Sequence, residues 1–376
     1  NTRTLWGTIF LHRLNDMHST TLPTIIPMLA QSISLTLGQA GFLNALFGLT
    51  NIFGQPVFGF IADKIKRPWL AVWGPMLSVA GASLLPLSPN YGAAFLFVGM
   101  ISCGTALFHP QGTGKCGASC DINRLAFYLA IFQSCGTLGS AIGPLYVVFM
   151  ISMLGKGGFP LVVIPAVALI CAFVWYEIGS RPEEPIEKPK IEQKPHFFEN
   201  LRYLMSRVGW IISITSGRDA VFQSIKIFLP MLLISRGGTV AEGGIILFAI
   251  TLAATLAGIV GGKIADRFGD ENILFGSLLI SPIFLVTGLR GSELYCIALL
   301  MLGFAVIQCS SPITTAMSQK RCPENRSMAS SLSNGVSWGI ANLCVTPVGV
   351  AADIIGLDTT LSAVAFMPWL VVGGPF

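Results

Sequence analysis

The polar and ionisable residues that interrupt the apolar segments of this chain recur at helical spacing and form three sets. The first is His12, Arg13, Asn15, Asp16 and Ser19. At about 100° per residue, His12, Asn15, Asp16 and Ser19 share one helix face and Arg13 lies on its flank. A carboxylate with an imidazole four residues before it can take up and release a proton, the histidine tuning the acid. The other reading of these residues is an Arg13–Asp16 ion pair, or an Asp16 hydrogen-bonded to neighbouring helices. The second set is Ser102, Thr105, His109 and Gly112, one stripe with Pro110 beside the imidazole. His109 is a further proton-carrier candidate; its structural alternative is a bond to a carbonyl that the proline leaves free. The third set is Thr215, Arg218, Asp219, Phe222 and Lys226, on an arc of roughly 100°. Two cations against one anion leave a positive charge, which is costly in a low-dielectric site unless water or an anionic ligand neutralises it.

The chemistry expected of these sets is proton coupling and anion binding. Asp16, His12, His109 and Asp219 are the proton-coupling candidates. Arg13, Arg218 and Lys226, with Asn15, are the candidates for holding a carboxylate or phosphonate, since a planar guanidinium binds two oxygens at once. Gln308, Asn334 and Trp338 would add hydrogen bonds and a stacking face, ordinary interhelical contact being their other reading.

The elements that must position these residues are transmembrane helices. Hydrophobic residues make up 53% of the 376, charged residues 11%, and the mean hydropathy is +0.71. A soluble domain carries about twice that charged share. Apolar runs of roughly 20 residues, enough to cross about 30 Å of hydrocarbon, alternate with short polar punctuation. With water excluded, such runs must pair their backbone groups internally, so an all-α membrane protein is predicted. The expected spans are twelve, near 5–31, 38–61, 69–88, 92–115, 124–154, 159–178, 207–235, 241–262, 272–289, 294–318, 326–354 and 359–376. They divide into a six-helix bundle at 1–179, a linker at 180–206 rich in Pro, Glu and Lys, and a second six-helix bundle at 207–376. The linker cannot bury enough apolar surface to fold alone; its end, 197–205, is expected to form a short interfacial helix. The first apolar segment is interrupted by charges and is too long for a signal core. The chain starts at Asn1 and stops within an apolar run at Phe376, so both tails are expected to continue.

Basic residues orient the bundle. Alternate loops and the linker hold seventeen, including Lys64, Arg67, Lys115, Arg124, Lys263, Arg267 and Lys320, against three on the other side, Lys156, Arg236 and Arg290. Both termini and the linker are therefore expected in the cytoplasm. The net charge of +5 reflects this topology and needs no nucleic-acid partner.

Other chemistries lack their residues. The nine cysteines are scattered without zinc-site spacing. Gly114-Lys115 has no Walker context, and no H-E-x-x-H or nucleophile elbow occurs. No metal, cofactor or enzymatic activity is expected, and an ion or solute gradient must supply the energy.

The segment from Gly59, GFIADKIKRP, returns with its second copy at Gly262-Lys-Ile-Ala-Asp266-Arg267. Gly59 and Gly262, like Asp63 and Asp266, are 203 residues apart, which marks two homologous halves. With G-x-x-x-D-[RK] between helices 2 and 3, six plus six spans and the glycine-proline run Gly136–Pro144, the chain resembles the major facilitator superfamily. His12-Arg13-Leu14-Asn15-Asp16-Met17 and Phe108-His109-Pro110 resemble the H-x-x-N-D-M and F-H-P of its fosmidomycin-resistance efflux family. The resemblance implies two pseudo-symmetric six-helix bundles, with helices 1, 4, 7 and 10 lining a central cavity. It also implies alternating access, a monomer in a bacterial or archaeal cytoplasmic membrane, and proton-driven export of small, often anionic compounds such as a phosphonate antibiotic. By the same resemblance Gly59, Asp63, Gly262 and Asp266 serve gating, each aspartate capping a helix N-terminus and latching one conformation. An organic-anion importer or exchanger of the same fold, and a non-transporting sensor or scaffold, are the alternatives.

Overall fold

The computed structural model describes residues 2–34, 37–65, 67–174, 196–238 and 240–372, and every regular element among them is helical. Residues 180–195 of the expected linker lie outside the described residues, as do the ends of the sixth and last expected spans.

The expected first span is two helices, α1 (Thr2–Ser19) and α2 (Thr21–Ile33). The break falls where Ser19, Thr20 and Thr21 turn their hydroxyls back onto the carbonyls of Asp16, Met17 and His18. These bonds compete with the helix ladder, and Pro23 donates no N–H of its own. The second span is α3 (Leu37–Leu49), a π-helical turn at Thr50–Gly54 and α4 (Gln55–Lys64). Next come α5 (Trp69–Leu84) and α6 (Tyr91–Ala118), the latter capped by Asn90, whose side chain accepts from the Ala93 N–H at 2.9 Å. α7 (Leu125–Gly158) and α8 (Val163–Val174) complete the first half. In the second half stand α9 (Phe197–Ser235), α10 (Val240–Phe268), α11 (Asp270–Gly288), α12 (Leu294–Gln308) and α13 (Ser311–Arg321). They are followed by the short α14 (Arg326–Ser330), a π-helical turn at Ser331–Val336, α15 (Ser337–Ile355) and α16 (Leu357–Val372). Residues 197–205 form the start of α9, continuous with the span that follows.

Seven helical stretches among the described residues are long and apolar enough to cross a membrane. They cover the expected third to sixth and eighth to eleventh spans, since the stretch Ile122–Phe173 serves two, breaking at Gly155. The first, second, seventh and twelfth spans are not among these stretches: the first is broken at Thr20, the seventh carries Arg218, Asp219 and Lys226, and the last expected span runs beyond the described residues.

The duplication is visible in the backbone. Gly155 (φ 70°) and Gly356 (φ 87°) make the sharp turns after the fifth and eleventh spans in a conformation that favours glycine. Pro144 in α7 and Pro347 in α15 are 203 residues apart, the interval of the repeated loop motif.

The chain folds as two compact units. The first takes residues 1–120, 135–209 and 321–331; the second takes 121–134, 210–320 and 332–376. One core joins Leu22, Ile25, Leu29, Leu43, Val98, Ile101 and Phe159; the other joins Val221, Ile225, Leu285, Leu300, Phe304 and Leu361. Large apolar side chains such as Leu145, Met153, Leu294 and Ile354 point outward, as a lipid-facing surface requires. Lipid tails are as apolar as leucine, so helix association there relies on close packing at small residues. Gly74 of α5 and Gly104 of α6 provide it: a Cβ on Gly74 would lie 2.6 Å from the Gly104 carbonyl oxygen.

Candidate functional site

In the first unit, α1 and α6 bring His12, Asp16 and His109 together. One turn separates His12 from Asp16, so both project from the same face. His12 Nε2 lies 3.2 Å from Asp16 Oδ2, and His109 Nε2 lies 3.3 Å from Oδ1. The two imidazoles meet edge to face at 5.0 Å between centroids, with Phe108 against His12 at 5.6 Å. Asn15 donates to Asp16 Oδ1 at 3.0 Å. The Ser78 hydroxyl of α5 is shared between Asn15 Oδ1 (3.0 Å) and the Ile101 carbonyl (3.2 Å), which holds the amide in place.

The glycine-proline run of α7 closes over this cluster. A Cβ on Gly136 would collide with the His12 imidazole and come within 2.8 Å of Asp16 Oδ2; one on Gly139 would meet the Arg13 carbonyl, and one on Gly143 would meet Thr20 and the Met17 carbonyl. The run is a groove shaped to α1. Its link to the cluster was not readable in the sequence, where it stood only as a motif of the family resemblance.

Two of the alternative readings do not hold among the described residues. Asp16 makes no ion pair with Arg13 among the described residues; Arg13 is exposed, and the carboxylate is taken by two histidines and Asn15. The partner of the His109 ring is Asp16, and not a carbonyl released by Pro110. Ser102, expected on the His109 stripe, turns to Thr50 and the Leu46 carbonyl.

In the second unit, α9 carries Arg218 and Asp219, each about 1% exposed. Arg218 Nε and Nη2 both bond Asp219 Oδ1, each at 2.9 Å. Among the described residues its Nη1 makes the long contacts to Ser310 (3.5 Å) and Thr314 (3.4 Å). Gln308 stands beside the Asp219 carboxylate, whose Oδ2 is buried without a hydrogen bond of ordinary geometry. Ser310 and Thr314 were missed in the sequence; the signal was there in Ser310-Ser311-Pro312 and Thr314-Thr315, hydroxyls crowded into an apolar span. Lys226 is partly buried, its Nζ 5.7 Å from the centroid of the Phe222 ring, with no ion pair among the described residues. Asn334 is half-buried on the π-helical turn before α15, and Trp338 is exposed. Among the described residues no hydrogen bond joins either side chain to Arg218 or Asp219.

The repeated loop motif forms two caps, each with both partners in one compact unit. Asp63 accepts from the Ser327 and Met328 N–H groups, both at 2.9 Å, at the N-terminus of α14. A Cβ on Gly59, one turn before it, would lie 2.8 Å from the Met328 Cα. Asp266 accepts from the Phe127 N–H at 3.3 Å at the start of α7, and a Cβ on Gly262 would lie 2.7 Å from the Ala126 carbonyl oxygen. In both copies the glycine admits the opposing backbone and the aspartate satisfies its unpaired amides.

The sequence pattern of the Major Facilitator Superfamily matches residues 6–349. The fosmidomycin resistance protein of Escherichia coli (strain K12) is 26% identical over 370 residues, covering 96% of this chain and 88% of that protein. An uncharacterized transporter of Bacillus subtilis (strain 168), described as of the same superfamily type, is 27% identical over 366 residues, with 96% and 88% coverage. Among solved structures, the E. coli fucose:proton symporter superimposes with a TM-score of 0.80 at 14% identity, covering 98% of this chain and 96% of that one. By sequence and by fold the chain belongs to the Major Facilitator Superfamily, and it is an integral membrane transporter and not an enzyme.

Proposed function

We propose that this transporter couples proton movement to the export of a small anionic solute of the phosphonate or carboxylate class. The observation that carries the reading is the Asp16 carboxylate held between His12 and His109. With one imidazole protonated the trio is neutral; a second proton makes it cationic, and loss of the first leaves a bare carboxylate. An apolar bundle penalises both charged states. The cluster therefore favours one conformation when loaded and another when emptied, which is what a coupling site requires. The E. coli relative named for fosmidomycin resistance supports export.

Arg218 and Lys226 would take the anion. Asp219 uses one oxygen for two guanidinium donors, leaving Nη1 on long contacts. In a conformation that opens the buried pair, an incoming oxyanion would find that donor available, with Lys226 nearby in sequence on the same helix. Asn15 and Gln308 are assigned to holding the two carboxylates. Asp63 and Asp266, with Gly59 and Gly262, would act as latches that release when residues 1–179 rock against 207–376.

The test is substrate-driven proton flux in proteoliposomes loaded with a pH-sensitive dye, challenged with phosphonates, carboxylates and lipophilic cations. Proton movement on addition of an anion supports the reading. A response to cations alone would reassign the basic residues to structure and the protein to cation export.

A further inference from the structure

The trio has a second chemistry that proton coupling does not use. We propose that His12 Nε2, the Asp16 carboxylate and His109 Nε2 form a binding site for a first-row divalent cation of the zinc and nickel class. The donor set is two neutral imidazoles and one carboxylate, the borderline combination that these ions prefer over the hard oxygen sets of calcium and magnesium. His12 and Asp16 stand four residues apart on one helix, a spacing at which two ligands reach the same ion.

The geometry is close to what an ion needs. All three ligand atoms lie within 4.8 Å of one another, and the two nitrogen–oxygen separations are 3.2 and 3.3 Å. Ligands about 2.1 Å from a metal stand about 3.0 Å apart in an octahedron and about 3.4 Å apart in a tetrahedron. The two nitrogen–oxygen separations already match this range, each to its own carboxylate oxygen, and closing on an ion requires the widest separation in the set, within 4.8 Å, to shorten by roughly an ångström through rotation of the imidazoles. Asn15, braced by Ser78, already orients Asp16, the kind of outer support that metal ligands require. Gly136 adds no side chain of its own to the face next to His12 and Asp16 Oδ2. The His109 and Asp16 side chains are 19% and 14% exposed, so the site is open to an entering ion.

The test uses the full chain purified in detergent, stripped with chelator and dialysed against zinc, with the metal counted by mass spectrometry. Cobalt is the second probe, its visible absorption reporting nitrogen and oxygen ligation. The expected result is about one zinc per chain, with affinity at least about tenfold weaker in Asp16→Asn and in His109→Gln. His18→Gln, whose ring bonds the Leu14 carbonyl outside the trio, keeps full binding. If Asp16→Asn fails to fold, His109→Gln, on a different helix, carries the test. Zinc bound equally by wild type and both variants, cobalt showing sulfur ligation, or no stoichiometric metal in the wild type would each overturn the site. Binding is read without transport, so its failure leaves the proton reading standing.

Discussion

Asp16 and Asp219 are both carboxylates within apolar helices, and their partners differ in one property. Asp16 is partnered by the imidazoles of His12 and His109, a side-chain type that can change its charge, and Asp219 by the guanidinium of Arg218, a type that does not. Surroundings follow partner. Asp16 is 14% exposed at its side chain and braced by a relay through Asn15 to Ser78, whereas Asp219 and Arg218 are sealed at 1% each. The same residue type thus meets two kinds of partner, one able to change charge and one that only compensates it. Asp219, a proton-coupling candidate by sequence, is ion-paired with Arg218.

The largest effect should come from breaking the sealed pair. Asp219→Ala leaves a buried guanidinium without a counterion and should cost roughly 3–5 kcal/mol. Thermal unfolding in detergent would show it, and the double change Arg218→Met with Asp219→Leu should recover most of the loss while anion binding stays absent. Recovery of binding in the double variant would remove Arg218 from the substrate site. Next is Gly136→Ala, which drives a methyl into His12 and should cost about 1–3 kcal/mol as well as proton coupling. Gly157→Ala, with open space around it, is the control and should change neither.

The two helix caps offer a third, smaller contrast. Asp63 satisfies two amides at 2.9 Å, whereas Asp266 satisfies Phe127 at 3.3 Å and leaves Oδ1 buried without a partner. Asp63→Asn should therefore cost more than Asp266→Asn, by about 1 kcal/mol. Equal losses in thermal unfolding would show that cap geometry does not set latch strength. The smallest effect on stability belongs to Lys226→Met, since removing a partly buried cation without an ion pair is neutral or mildly stabilising. The same change should raise KM for the transported anion, and an unchanged KM would place the substrate elsewhere.

How much of this was readable beforehand depended on whether the information was local. The pairing of His12 with Asp16 follows from their spacing, and the duplicated glycine–aspartate motif announces both caps and the two halves. The break at Thr20 was also encoded, in Ser19-Thr20-Thr21 followed by Pro23, although hydropathy alone runs through it. The meeting of His109 with Asp16 depends on how α6 lies against α1, which no spacing within either segment records. Arg13 shows the limit of helical angles: its flank position was read as an anion contact or an ion pair with Asp16, and the side chain is exposed, with no ion pair to Asp16 among the described residues. Gly136 was legible as the start of a glycine-proline motif but not as the floor beneath His12, because its partner lies 124 positions away in the chain.

The most direct measurement of the Asp16–histidine account compares wild type with Asp16→Asn in proteoliposomes, following proton flux and substrate counterflow on the same preparation. The account predicts that Asp16→Asn folds, still exchanges anion across the membrane, and moves no protons with it. Proton flux that follows the anion in Asp16→Asn as it does in wild type would contradict the assignment and move the coupling site away from this cluster.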